Sequence, residues 1–254
     1  MKNKKLNHEF KLKLVKMESK KFNKNLFVPM KTGKSVDRLL SSEGGLMKGT
    51  NTAIIGDPGV GKSTVTLDIL SDLQSKGNKV LFISGEMTDI DMYGYVKRYP
   101  KFGKLPILFL GDYLESDPLE VIERALSMGY DTVLIDSMAE VCVAVSDYHK
   151  VNGRKAESLI LNMLEKNNKG ENRGKHNTAF ILIQQVTKSG NFAGSNRFKH
   201  SLTSMGALRF GEGGGRYLSF DKNRRGGLMN RLYFNLNDKN NVEWMHMEAQ
   251  NSIG

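Results

Sequence analysis

The chain has 254 residues, 39% hydrophobic and 26% charged, enough for one well-packed domain of ordinary globular composition. No stretch approaches the roughly 20 uninterrupted apolar residues of a membrane span, the lysine-rich start lacks the apolar core of a secretory signal, and a single cysteine, Cys142, excludes an intramolecular disulfide and a cysteine-cluster zinc site. The formal net charge of +11 is unevenly placed: the first 34 residues carry eleven lysines against Glu9 and Glu18, a balance that suits a polyanionic partner through phosphate neutralisation and counterion release.

Residues 1–26 read as a basic arm, helical around 10–17 where Phe10, Leu12, Leu14 and Val15 fall, and residues 27–254 as the folded core. In the core, the apolar run 52–55 ends in glycine and leads into apolar residues at helical spacing over 63–74. Apolar runs at 79–84, 107–110, 131–136 and 178–183 predict strands, 118–128 and 154–164 predict helices, and the polar run 166–177 predicts a loop. Cys142, between Val141 and Val143, reads as a buried structural thiol. Near-continuous apolar strands alternating with helices predict an α/β fold, a mainly parallel sheet covered on both faces. After Gly206 come four further strand-like runs, at 207–210, 216–220, 231–236 and 242–247, separated by glycine- and asparagine-rich turns. They predict antiparallel hairpins that extend the sheet at its C-terminal side.

The spacing that carries chemistry is Gly56-Asp57-Pro58-Gly59-Val60-Gly61-Lys62-Ser63, followed by Thr64, between the first predicted strand and the first predicted helix of the core. Glycines let backbone N–H groups wrap closely around phosphates, and the helix N-terminus adds its positive dipole end. Lys62 is expected on the β- and γ-phosphates of ATP and the Ser63 hydroxyl on Mg²⁺. Asp136, ending the strand Leu134-Ile135-Asp136, is the expected second metal residue, acting through water at the strand edge where ligands gather in open α/β sheets. Glu86, in Ser84-Gly85-Glu86-Met87, is the expected group that orients or deprotonates attacking water. Arg98 and Tyr99 are candidates to stack on adenine.

These residues in this order resemble the RecA-like P-loop ATPase superfamily, and more closely its bacterial RadA (Sms) branch, which is related to the DnaB-type hexameric helicases. The lead-in Thr32-Gly33-Lys34-Ser35-Val36-Asp37-Arg38-Leu39-Leu40, the Ser84-Gly85-Glu86 segment, the run Leu182-Ile183-Gln184-Gln185-Val186-Thr187-Lys188, and Lys222-Asn223-Arg224-Arg225-Gly226 each have a RadA counterpart. The resemblance covers about residues 27–248. It implies a RecA-like core, a cytoplasmic protein of a bacterial or phage-infected cell, and a homo-oligomer expected as a ring of six. Gln185 would sense the γ-phosphate, and Lys222 and Arg224, alternating along a strand, would enter the neighbouring subunit's site, where such cations can contribute about 10³ to 10⁵ in rate.

Two loops would then face a central channel and track single-stranded DNA, one over 146–155 with Lys150 and Arg154, the other over 188–200 with Lys188, Asn191, Arg197 and Lys199. RadA proteins carry a four-cysteine zinc motif before this core and a protease-like domain after it. Here one cysteine, a lysine arm and an end at Gly254 point to a minimal core, as in a phage or mobile element. The aromatic of the family's K-N-R-F-G signature is also missing. The leading expectation is an ATP-dependent motor on single-stranded DNA, a helicase or branch-migration ATPase in recombination, repair or replication. The alternatives are a strand-exchange recombinase filament and a nucleotide-switched regulatory ATPase with protein partners.

Overall fold

A computed structural model describes residues 14–173, 175–186, 194–237 and 241–245; Lys188, Asn191 and residues 10–13 of the arm's expected helix lie outside them, and in the rest of that expected helix residues 14–16 are not helical, a single 3₁₀ turn spanning Met17–Ser19. Six strands run parallel: β1 (Asn51–Gly56), β2 (Val80–Ser84), β3 (Ile107–Phe109), β4 (Thr132–Asp136), β5 (Ala179–Gln185) and β6 (Ser204–Phe210). Three more, β7 (Arg216–Asn223), β8 (Leu232–Asn237) and β9 (Asn241–Trp244), add antiparallel to one side, giving the order β3-β2-β4-β5-β1-β6-β7-β8-β9. The parallel sheet with antiparallel C-terminal extension is the architecture the sequence predicts.

Helices cover both faces of the parallel part, so β1, β2 and β4 are buried along their whole length. Period-two alternation divides their side chains. Ile54, Phe82, Leu134 and Ile181 pack with Leu67, Leu70 and Leu73 of α2 (Lys62–Ser75), on the side that also carries α1 (Asp37–Leu40) and α3 (Asp89–Arg98). Ala53, Ile55, Val133, Ile135 and Phe180 face the other way, onto α4 (Pro118–Leu126), α5 (Met138–His149) and α6 (Gly153–Asn168). A short α7 (Asn196–Ser201) leads into β6, with Phe198 in the same core.

The described end of the loop expected over 188–200 is helix α7, capped by Ser195 and anchored by buried Phe198. Three further stretches depart from the sequence expectations. Residues 89–98 form α3, whose N-terminus is fixed by a capping box in which Thr88 and Asp91 satisfy each other's backbone N–H groups. The loop expected over 146–155 is mostly helix. Ser137 caps α5, Met138, Val141 and Val145 bury at helical spacing, and Asn152 then caps α6, leaving only residues 150–152 as connection, with Lys150 left-handed at φ 52°. The polar run from 166 begins inside α6, because Asn167 is buried and its amide donates to the Met163 carbonyl at 2.9 Å. Among the described residues, no helix is long and apolar enough to cross a membrane.

Candidate nucleotide site

The C-terminal ends of the parallel strands gather the site. Across the sheet Gly56 is level with Gln185 on one side and Leu208 on the other, and Ser84 is level with Asp136. Between β1 and α2 the chain turns through Gly56, Gly59 and Gly61, at φ 155°, 77° and 102°, where a side chain is strained. At Gly61 a Cβ would also approach Leu236 to 2.7 Å. The result is a loop of bare backbone ahead of a 14-residue helix whose axis starts at the loop, a cradle whose donor set fits a phosphate chain. Lys62 folds back over this loop, its Nζ donating to the carbonyls of Gly56 at 2.8 Å and Asp57 at 3.0 Å.

Ser63 and Asp136 meet directly, the Ser63 hydroxyl donating to Asp136 Oδ2 at 2.6 Å. Asp136 is 2% exposed, and burial, with help from nearby Glu86, pushes its carboxyl up to about 6, while Ser63 and Lys62 act to lower it. Burial lowers the Lys62 ammonium, and the charges of Asp136, Glu86 and Asp57 oppose that shift. Glu86 is set by a compact turn: Gly85 N–H donates to the Asp136 carbonyl at 2.8 Å, and the Ser84 hydroxyl bonds both ways with the Met87 backbone. A hydroxyl beside an acid, with a second carboxylate in the same field, is a donor set suited to a phosphate-bound divalent cation.

Sequence reasoning missed Tyr95. This half-buried α3 residue comes close to Ser63, lies in the field of Asp136 and Glu86, and carries the Arg98 guanidinium 4.9 Å from its ring centre. Tyr99, expected near adenine, is instead 6% exposed and stacked on Phe102 in the core.

Lys222 and Arg224 lie at the opposite edge of the sheet. Lys222 pairs with Met205 and Asn223 with Ser204, at the start of β6, which is level with Thr52. Four residues of strand, roughly 13 Å, separate that level from Gly56. β7 ends at Asn223, so the two cations do not alternate along a strand as expected. Both instead reach the C-terminal turn of α7, where Lys222 Nζ donates to the Lys199 carbonyl at 2.8 Å and Arg224 to the His200 carbonyl at 3.4 Å. Lys150, Arg154 and Lys199 are exposed, while Arg197 is held on α6 by Ser158 at 2.7 Å and Asn162 at 3.0 Å.

No family model matches the chain. The DNA repair protein RadA of Mycobacterium tuberculosis is 28% identical over 175 residues, 68% of this chain and 34% of that protein. RadA of Aquifex aeolicus is 30% identical over 218 residues, 81% of this chain and 44% of its own length. The chain thus spans less than half of either relative. A KaiC-like protein from Pyrococcus horikoshii superposes with a TM-score of 0.64 over 86% of this chain and 99% of its own, at 18% identity, a likeness of fold alone. These likenesses are to proteins of the RecA-like P-loop ATPase superfamily. Within it, the sequence likeness lies with the RadA branch.

Proposed function

We propose that the chain hydrolyses ATP with Mg²⁺ and that hydrolysis moves an oligomer, a ring of six, along single-stranded DNA. Such a motor would serve as a helicase or branch-migration ATPase in recombination, repair or replication. The reading rests on one observation above others: the phosphate loop, Ser63, Asp136 and Glu86 occupy one sheet edge, while Lys222 and Arg224 occupy the other. A pair that far from its own loop is suited to a neighbour's.

In this reading backbone N–H groups of the loop Gly56 to Thr64, Pro58 excepted, hold the phosphates, and Lys62 exchanges the Gly56 and Asp57 carbonyls for the β- and γ-phosphates. Ser63 and, through water, Asp136 would hold Mg²⁺, which would supply positive charge against the phosphates. Glu86 accepts the proton of the attacking water. Gln185, beside Gly56 at the end of β5, senses the γ-phosphate and passes its state to the segment after it. Lys222 and Arg224 of the adjoining protomer stabilise the transition state. Lys150, Arg154, Lys188, Asn191, Arg197 and Lys199 contact the DNA backbone, and the arm of residues 1–26 supports assembly or DNA contact ahead of the core at 27–254. The DNA assignment follows the relatives' description as DNA repair proteins.

The test is ATP turnover with and without single-stranded DNA. Stimulation of about tenfold or more that collapses with added salt is expected for a backbone-tracking motor. Turnover indifferent to DNA at low salt would overturn the motor reading.

A further inference from the structure

Helix α7 is held at both ends, by different chemistry. Its first turn is fastened to α6. The Ser195 hydroxyl bonds Glu157 Oε1, its backbone N–H donates to Glu157 Oε2 at 3.2 Å, and the same hydroxyl accepts from Phe198 N at 3.1 Å to cap α7. Arg197 adds its two bonds to Ser158 and Asn162. Phe198, 1% exposed, fixes the middle of the helix in the core. The last turn offers the Lys199 and His200 carbonyls to Lys222 and Arg224. Helix C-terminal carbonyls favour cations.

Lys222 and Arg224 are like charges held side by side, and Lys199 adds a third; burial and these neighbours lower the Lys222 ammonium. The described contacts that hold the two side chains are the α7 carbonyls, so their position follows that helix. Glu157 lies in a cleft of about 730 Å³ lined also by Arg154, Ser195 and Arg197. An anionic backbone entering this cleft would meet Arg154 and Arg197 and repel the Glu157 carboxylate, acting at the point where α7 is fastened.

We infer, on the basis of the site shared between protomers, that Glu157 is a positioning residue: through Ser195 and α7 it sets Lys222 and Arg224, and so links DNA in the Arg154/Arg197 cleft to the site of the neighbouring protomer. The link runs from one protomer's cleft to the next protomer's phosphates.

Mixed full-length subunits test it. Arg224→Ala subunits keep an intact phosphate loop and Lys62→Ala subunits keep intact cations, so their mixture recovers part of the ATP turnover. Lys62→Ala/Glu157→Gln subunits are expected to rescue about fivefold less or worse, since small displacements of catalytic groups are costly. Glu157→Gln alone should keep nucleotide affinity and melting temperature close to the parent, and Lys62→Ala/Ser195→Ala should repeat the loss with the Glu157 charge in place. Equal rescue by the parent and both double variants would overturn the inference, as would a loss that merely tracks lowered melting temperature. No rescue by Lys62→Ala itself would overturn the shared-site reading, and this inference with it.

Discussion

Asp136 carries its carboxyl where charge is disfavoured. Raised from 3.8 to about 6, it binds its proton more tightly in the folded chain than in the unfolded one. Its ionised form therefore costs stability above about pH 6, and the cost is gone below the unfolded value near 4. Asp136→Asn keeps an acceptor for Ser63, so the nucleotide-free variant should be more stable by on the order of 2–3 kcal/mol at pH 8. That gain should fade towards pH 4, which thermal melting across pH would check; a gain independent of pH would contradict the burial argument. Lys62→Ala should abolish nucleotide binding or turnover in an equilibrium binding and ATPase assay. Glu86→Gln should bind nucleotide within about twofold of the parent yet lose on the order of 10² or more in turnover. Fast hydrolysis by that variant would remove Glu86 as the base. The loop residues are legible in the sequence because their chemistry is encoded in local spacing. Tyr95 is not, because its approach to Ser63 depends on how α3 packs, which no spacing within residues 89–98 records.

Elements are legible where burial is one-sided or complete. The strands appear as apolar runs because helices cover both their faces. Residues 138–149 hide their helix because Met138, Val141 and Val145 are interleaved with Cys142, Val143 and Ala144, so the helical period is blurred. The α2 helix has an anchor the sequence hides altogether. Lys34 and Lys101, from segments before and after it, both bridge Asp68 and Asp72 at 2.5–2.8 Å. Asp68 is fully buried and also receives the Val242 N–H from β9 at 3.4 Å. Asp68→Ala leaves two ammoniums facing one carboxylate. It should destabilise the fold by about 2–3 kcal/mol, less than for a fully buried pair because each lysine is partly solvated. A urea midpoint unchanged by the substitution would show that the cluster is only decorative.

At the scale of the whole molecule, the sheet sets the distance between two groups of charged residues that the sequence can only order along the chain. Lys222 and Arg224 are legible as a motif, but their reach towards α7 and their separation from Gly56 come from strand register. In the proposed reading that separation is the physical basis of a shared site: one edge would bind phosphates, the other would offer cations, and a second copy would join them. The measurement that tests this most directly is particle imaging of the protein with a non-hydrolysable ATP analogue and single-stranded DNA. The account predicts closed rings in which Lys222 and Arg224 of one protomer face Lys62 and Glu86 of the next. Single particles, or an assembly with those two edges turned to solvent, would contradict it.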